Sequence, residues 1–145
     1  MAAGVPLTVL AFDYGLRRIG VAAGNTLTAT AEPLTTLRSP AGDPDWPAID
    51  KCVADWRPAV VVVGVPYNMD DSAGALTVAA QDFARALATR YAVEVVTVDE
   101  RLSSREAEET LRQRRRAGTL ARRIRREDVD SEAARVLLAQ WLNAR

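Results

Sequence analysis

The sequence contains no histidine and a single cysteine, Cys52. The first absence removes Ser-His-Asp and Cys-His nucleophilic chemistry, and with them any zinc site built on imidazole. The second rules out an intramolecular disulfide, and Cys52 sits in a helical pattern, Asp50-Lys-Cys-Val-Ala-Asp-Trp, as a small packing residue. No run approaches the roughly 20 apolar residues that a bilayer span needs, and the first residues show no basic stretch followed by a long apolar one. A cytoplasmic protein without a membrane partner is therefore expected. A P-loop pattern is missing, as are internal repeats and low-complexity tracts.

What is present is ordinary in bulk and uneven in distribution. The 145 residues suit one domain spanning 1–145 with a full core, at 48% hydrophobic and 26% charged content. The formal net charge is zero, yet residues 1–100 carry −5, residues 101–126 carry +7 from 10 Arg and 3 Glu, and residues 127–145 carry −2. A cationic segment this concentrated points to an anionic partner.

Residues 7–25 hold the most informative pattern. An apolar run reaches Asp13, turns at Tyr14-Gly15 and resumes, so strands over 7–13 and 18–24 form a hairpin. Strand alternation puts Asp13 on the same face as Val9 and Ala11. A carboxylate on a face built for burial needs a partner, a set of hydrogen bonds or a metal ion; a turn Asp accepting backbone N–H groups is the simpler alternative.

Thr28–Leu37, with Pro33 inside, reads as a third, edge-like strand of an antiparallel meander. Trp46–Trp56 is a helix with Asp45 as N-cap and Pro47 in its first turn. Pro58–Val65 is a continuous β-branched run suited to a central parallel strand. A helix from Ser72 to Tyr91, a strand from Val93 to Val98 and a capping-box helix from Ser103 to Leu111 follow. The Arg-rich 112–126 segment precedes a last helix, Asp128–Asn143. This order implies a mixed sheet with helices on both faces.

Three acids stand where strand ends and a helix start would meet: Asp13, Glu100 and Asp130. Asp130 shares a helical stripe with Ala134, Leu137 and Trp141. Each has a simpler alternative, Glu100 as an ion pair with Arg101 and Asp128 or Asp130 as the N-cap of the final helix. Together they form an oxygen-donor set suited to Mg²⁺ or Mn²⁺. Without histidine, a carboxylate-held metal is the natural device for phosphodiester hydrolysis. Arg17 and Arg18 in the hairpin turn would hold flanking phosphates. Arg101, Arg114, Arg115, Arg116, Arg122 and Arg123, with Arg125 and Arg126, would attract a polyanion independently of its sequence, or form a solvated charged face.

Four stretches carry a resemblance: Ala11-Phe-Asp-Tyr-Gly-Leu-Arg-Arg-Ile-Gly-Val-Ala, Val62-Val-Gly-Val-Pro-Tyr-Asn-Met-Asp, Val98-Asp-Glu-Arg-Leu-Ser-Ser-Arg-Glu-Ala and Val129-Asp-Ser-Glu-Ala-Ala. In order and spacing they resemble the signature blocks of the YqgF/RuvX family. The resemblance implies a ribonuclease H-like α/β fold, with a five-stranded sheet of three antiparallel and two parallel strands. It also implies a divalent-metal nuclease that matures the 5′ end of pre-16S ribosomal RNA, or resolves Holliday junctions, with Asp13, Glu100 and Asp130 as its acidic triad. RuvC-type enzymes place a glutamate near the end of the fourth strand. Here that strand ends Gly64-Val65-Pro66, the nearest acids are Asp70 and Asp71, and Glu100 takes the role. Asn68 and Asp70 in the second block would touch substrate or shape their loop.

Two rivals remain at this level. An Asp-x-Gly hairpin also faces nucleotide in ATPases of related fold, but those clamp it between two lobes and this chain has length for one. A non-catalytic RNA-binding assembly factor would need only the Arg segment. The partner is RNA precursor or branched DNA, and the chain acts as a monomer or as a two-fold homodimer.

Overall fold

The computed structural model describes residues 7–66, 73–99, 112–113 and 126–144. Five strands form one sheet: β1 (Thr8–Asp13), β2 (Arg18–Asn25), β3 (Thr30–Arg38), β4 (Val60–Val65) and β5 (Glu94–Asp99), in the order β3-β2-β1-β4-β5. The first three are antiparallel, and β1–β4 and β4–β5 are parallel. All six residues of β4 are buried, which is why its sequence shows no alternation. β3 is an edge, and its Pro33 falls beside a register shift opposite Val21 and Ala22, where a missing N–H does least harm.

Helices α1 (Trp46–Trp56) and α2 (Ala75–Tyr91) cover one face and α3 (Arg126–Asn143) the other. The expected mixed sheet with helices on both faces is thus observed. Asp45 caps α1 as expected, its Oδ1 accepting from the Ala48 N–H at 3.2 Å. α2 starts at Ala75 rather than Ser72. Thr77 at its third position accepts from the Gly74 N–H and donates to the Pro66 carbonyl, tying the helix start to the end of β4. α3 starts at Arg126, two residues before the expected Asp128. Asp128 and Asp130 therefore lie inside the helix, and neither is its N-cap. The expected 103–111 helix falls outside the described residues. No helix among those described is long and apolar enough to cross a membrane.

The α1–α2 layer is aromatic where it meets the β1–β2 turn. Phe83 of α2 lies against Phe12 (ring centroids 5.8 Å), Tyr14 (5.0 Å) and Trp46 (5.8 Å). Phe83→Ala is expected to cost about 3–5 kcal/mol of unfolding free energy, because three rings lose a common partner and cannot close the gap. Urea denaturation of the variant and wild type measures it.

Candidate active site

The alternation of β1 and β2 sorts their side chains cleanly. Leu10, Phe12, Ile19, Val21 and Ala23 face α1 and α2, whereas Val9, Ala11 and Ala22 pack with Ala134, Leu137, Leu138 and Leu142 of α3. Asp13 continues the Val9-Ala11 row, so it lies on the α3 face, half-buried at the strand end. Its antiparallel partner is Gly20 and its parallel partner is Gly64. Gly20 pairs in turn with Thr36, and Gly64 with Val98. One row across the sheet therefore reads Thr36, Gly20, Asp13, Gly64, Val98.

Helix α3 reaches this row through Gly20. A Cβ on Gly20 would overlap the Asp130 carbonyl, and one on Gly24 would press on Leu138 and Leu142. The α3-facing side of β2 is thus Gly20, Ala22 and Gly24, a shallow seat that lets the helix backbone approach the sheet. Asp130 arrives beside the strand pair that carries Asp13, and the two acids share one end of the interface. The Asp130 carboxylate accepts from Arg18 Nε at 2.5 Å, with the two side chains 25% and 29% exposed. Such a partly open pair fixes orientation more than it adds stability.

The turn that carries Arg17 and Arg18 is held from behind. The Tyr14 hydroxyl donates to the Gly42 carbonyl (2.6 Å), the buried Ser39 hydroxyl to the Gly15 carbonyl (2.6 Å), the Ser39 N–H to the Arg17 carbonyl (2.8 Å) and the Gly42 N–H to the Leu16 carbonyl (2.9 Å). Burial raises the Tyr14 phenol pKa, and the Asp43 and Asp82 carboxylates raise it further, so the group remains a donor at neutral pH. Arg17 is exposed and Arg18 half-buried on this braced turn.

Of the residues expected from sequence, the structure brings together Asp13, Asp130, Arg17 and Arg18. Glu100, Asn68, Asp70, Arg101, Arg114, Arg115, Arg116, Arg122, Arg123 and Arg125 lie outside the described residues. Among the described residues no three carboxylates form a metal-binding group. Asp13 and Asp130 supply hard oxygen donors of the kind that Mg²⁺ and Mn²⁺ take, so the residues present suit such an ion. Gly20, Ser39, Tyr14, Thr36 and Arg38 are features of this end of the sheet that the sequence reading did not single out. The small-residue alternation Gly20-Val-Ala-Ala-Gly24 was the visible signal for the first of them.

Comparison with known proteins bears on the family and the fold. The model of the RuvX family, described as Holliday junction resolvase, matches residues 7–144. A protein of Nitrosococcus oceani named "Putative pre-16S rRNA nuclease" is 45% identical over 137 residues, 94% of this chain and 87% of the relative. One of the same name from Histophilus somni is 44% identical over 135 residues, 93% of both chains. Among solved structures, Thermus thermophilus RuvC in complex with a Holliday junction is similar in fold, with a TM-score of 0.56 at 16% identity, covering 95% of this chain and 94% of that one.

Gly20→Ala tests the seat. The added methyl forces α3 away from β2, and overpacking of this kind is expected to destabilise the fold by about 1–3 kcal/mol. Chemical denaturation measures that loss, and a break of the Arg18–Asp130 pair should accompany it in the variant's crystal structure.

Proposed function

Since the chain belongs to the RuvX family, we propose that it is a metal-dependent nuclease that hydrolyses phosphodiester bonds of the 16S rRNA precursor, at its 5′ end. The observation that carries this reading is the convergence of Asp13 and Asp130 on one face of the sheet, at the Gly20 seat, with two turn arginines beside them. Glu100 completes the acidic set in this proposal. It has the sequence parity of Val96 and Val98, which pack toward α3.

Asp13, Asp130 and Glu100 would hold Mg²⁺ or Mn²⁺. When bound, the ion activates water and stabilises the oxygen that leaves. Arg18 holds the Asp130 carboxylate in one orientation, so that acid does not swing away from Asp13. Arg17, exposed on the braced turn, receives a phosphate flanking the scissile one. The remaining arginines of 101–126 supply sequence-independent attraction to the polyanion, an effect that weakens as salt rises. A second reading, resolution of four-way DNA junctions, is supported by the description of the family model. Both use the same carboxylates.

Cleavage of a precursor-rRNA fragment, single-stranded RNA, duplex DNA and a four-way junction, with Mg²⁺, Mn²⁺ or chelator, tests the proposal. Wild type is expected to cleave only with metal, and the preferred substrate separates the two readings. Asp13→Asn should lose at least about 100-fold in rate, on the scale of removing a charge-stabilising group from an active site, while keeping its affinity for nucleic acid. Binding without cleavage in any metal would overturn the nuclease reading and leave a binding module.

A further inference from the structure

Beside the acids, the sheet ends in an arrangement that is unfavourable on its own. Arg18 at the start of β2 and Arg38 at the end of β3 are register partners in an antiparallel pair. Like charges directly opposite one another destabilise a strand pair. Arg18 is committed to Asp130, whereas Arg17 and Arg38 make no ion pair among the described residues. The three arginines, with Thr36, Leu37 and Pro40, line a cleft of about 400 Å³.

The parity of the strands decides which way this cleft opens. Leu37 packs toward the α1–α2 layer with Ile19, so Thr36 and Arg38 belong to the α3 side, as do Gly20 and Arg18 opposite them. Arg38 is exposed, and the chain following it is pinned by Ser39 to the Arg17 turn. Two exposed guanidinium groups and a third, partly neutralised one are thus held on braced backbone around one concavity. This offers planar, multiple N–H donors to an oxyanion and relieves the opposition of Arg18 and Arg38 when one is bound.

We infer that Arg38 and Arg17, with Thr36, form a phosphate subsite for a nucleic-acid strand, displaced from the Asp13–Asp130 centre toward the β3 edge. This rests on the nuclease reading for its ligand class and gives the bound strand a direction. The strand crosses the end of the sheet from the acids over β2 to β3. The subsite reads the phosphodiester backbone and not the bases, so RNA and DNA strands both use it.

The test is binding of a 12-nucleotide RNA and the DNA strand of the same sequence, followed by fluorescence anisotropy in chelator across a salt series, so that cleavage does not enter. Arg38→Gln is expected to weaken binding about tenfold at low salt, as for loss of a hydrogen bond to a charged group, and to flatten the log–log salt slope by about 0.7, one single-strand phosphate contact. Arg38→Lys should keep the slope and recover part of the affinity. Arg85→Gln, on α2 across the sheet, should leave both unchanged. The melting temperature of Arg38→Gln should equal or exceed that of wild type, because the opposition to Arg18 is gone. Loss of affinity and a flatter slope on both strands support the subsite, whereas a loss confined to one strand type overturns its backbone-only reading. Unchanged affinity and slope for both strands, or a lowered melting temperature with an unchanged slope, overturn the inference. In that case metal-dependent cleavage lost in Asp13→Asn would leave the nuclease reading standing.

Discussion

The structure depends on how closely α3 approaches β2. A helix normally stands off a sheet by the thickness of the side chains between them, and at Gly20 no side chain intervenes. Glycine inside a strand costs about 0.5–1 kcal/mol in backbone entropy relative to alanine. That cost is offset by the burial of Ala134, Leu137, Leu138 and Leu142 against Val9, Ala11, Ala22 and Val62. The close seat also brings a helix residue, Asp130, to the register position of a strand residue, Asp13. A bulkier residue at position 20 would separate the two acids while leaving both in the sequence.

The opposite layer has a different task. Phe83, Trp46 and Tyr14 pack behind the hairpin turn, and Ser39 and Gly42 bind its backbone from the following loop. The α3 layer supplies an acid, and the α1–α2 layer holds the turn that supplies cations. Arg18 joins the two through Asp130. The geometry of the candidate site is therefore set by both cores at once, and the strand end between them contributes Asp13.

Much of this was legible beforehand, and for identifiable reasons. The hairpin around Asp13, the buried β4 run and the capped α1 follow from local periodicity and turn chemistry, and each appears within two residues of its expected bounds. The helix starts were less legible. α2 begins three residues late because Thr77 anchors it to Pro66, a contact with β4 that no local rule shows. α3 begins two residues before its expected start, which places Asp130 in the helix body and not at its cap. Asp13 and Asp130 stood out by their expected places at a strand end and a helix start, and the register of β1 with β2 and the space over Gly20 supply the contact that local patterns do not show. Arg38 escaped notice because its meaning comes entirely from the strand partner opposite it.

The central claim is that Asp13 and Asp130 share one divalent ion. Crystals of the wild-type protein grown with Mn²⁺ and measured at the manganese absorption edge test it most directly, since anomalous scattering identifies the ion and its position without reference to activity. The account predicts an anomalous peak within bonding distance of a carboxylate oxygen from each of the two residues. Full manganese occupancy at other carboxylates, such as Asp43 and Asp45, with no peak between Asp13 and Asp130, would contradict it.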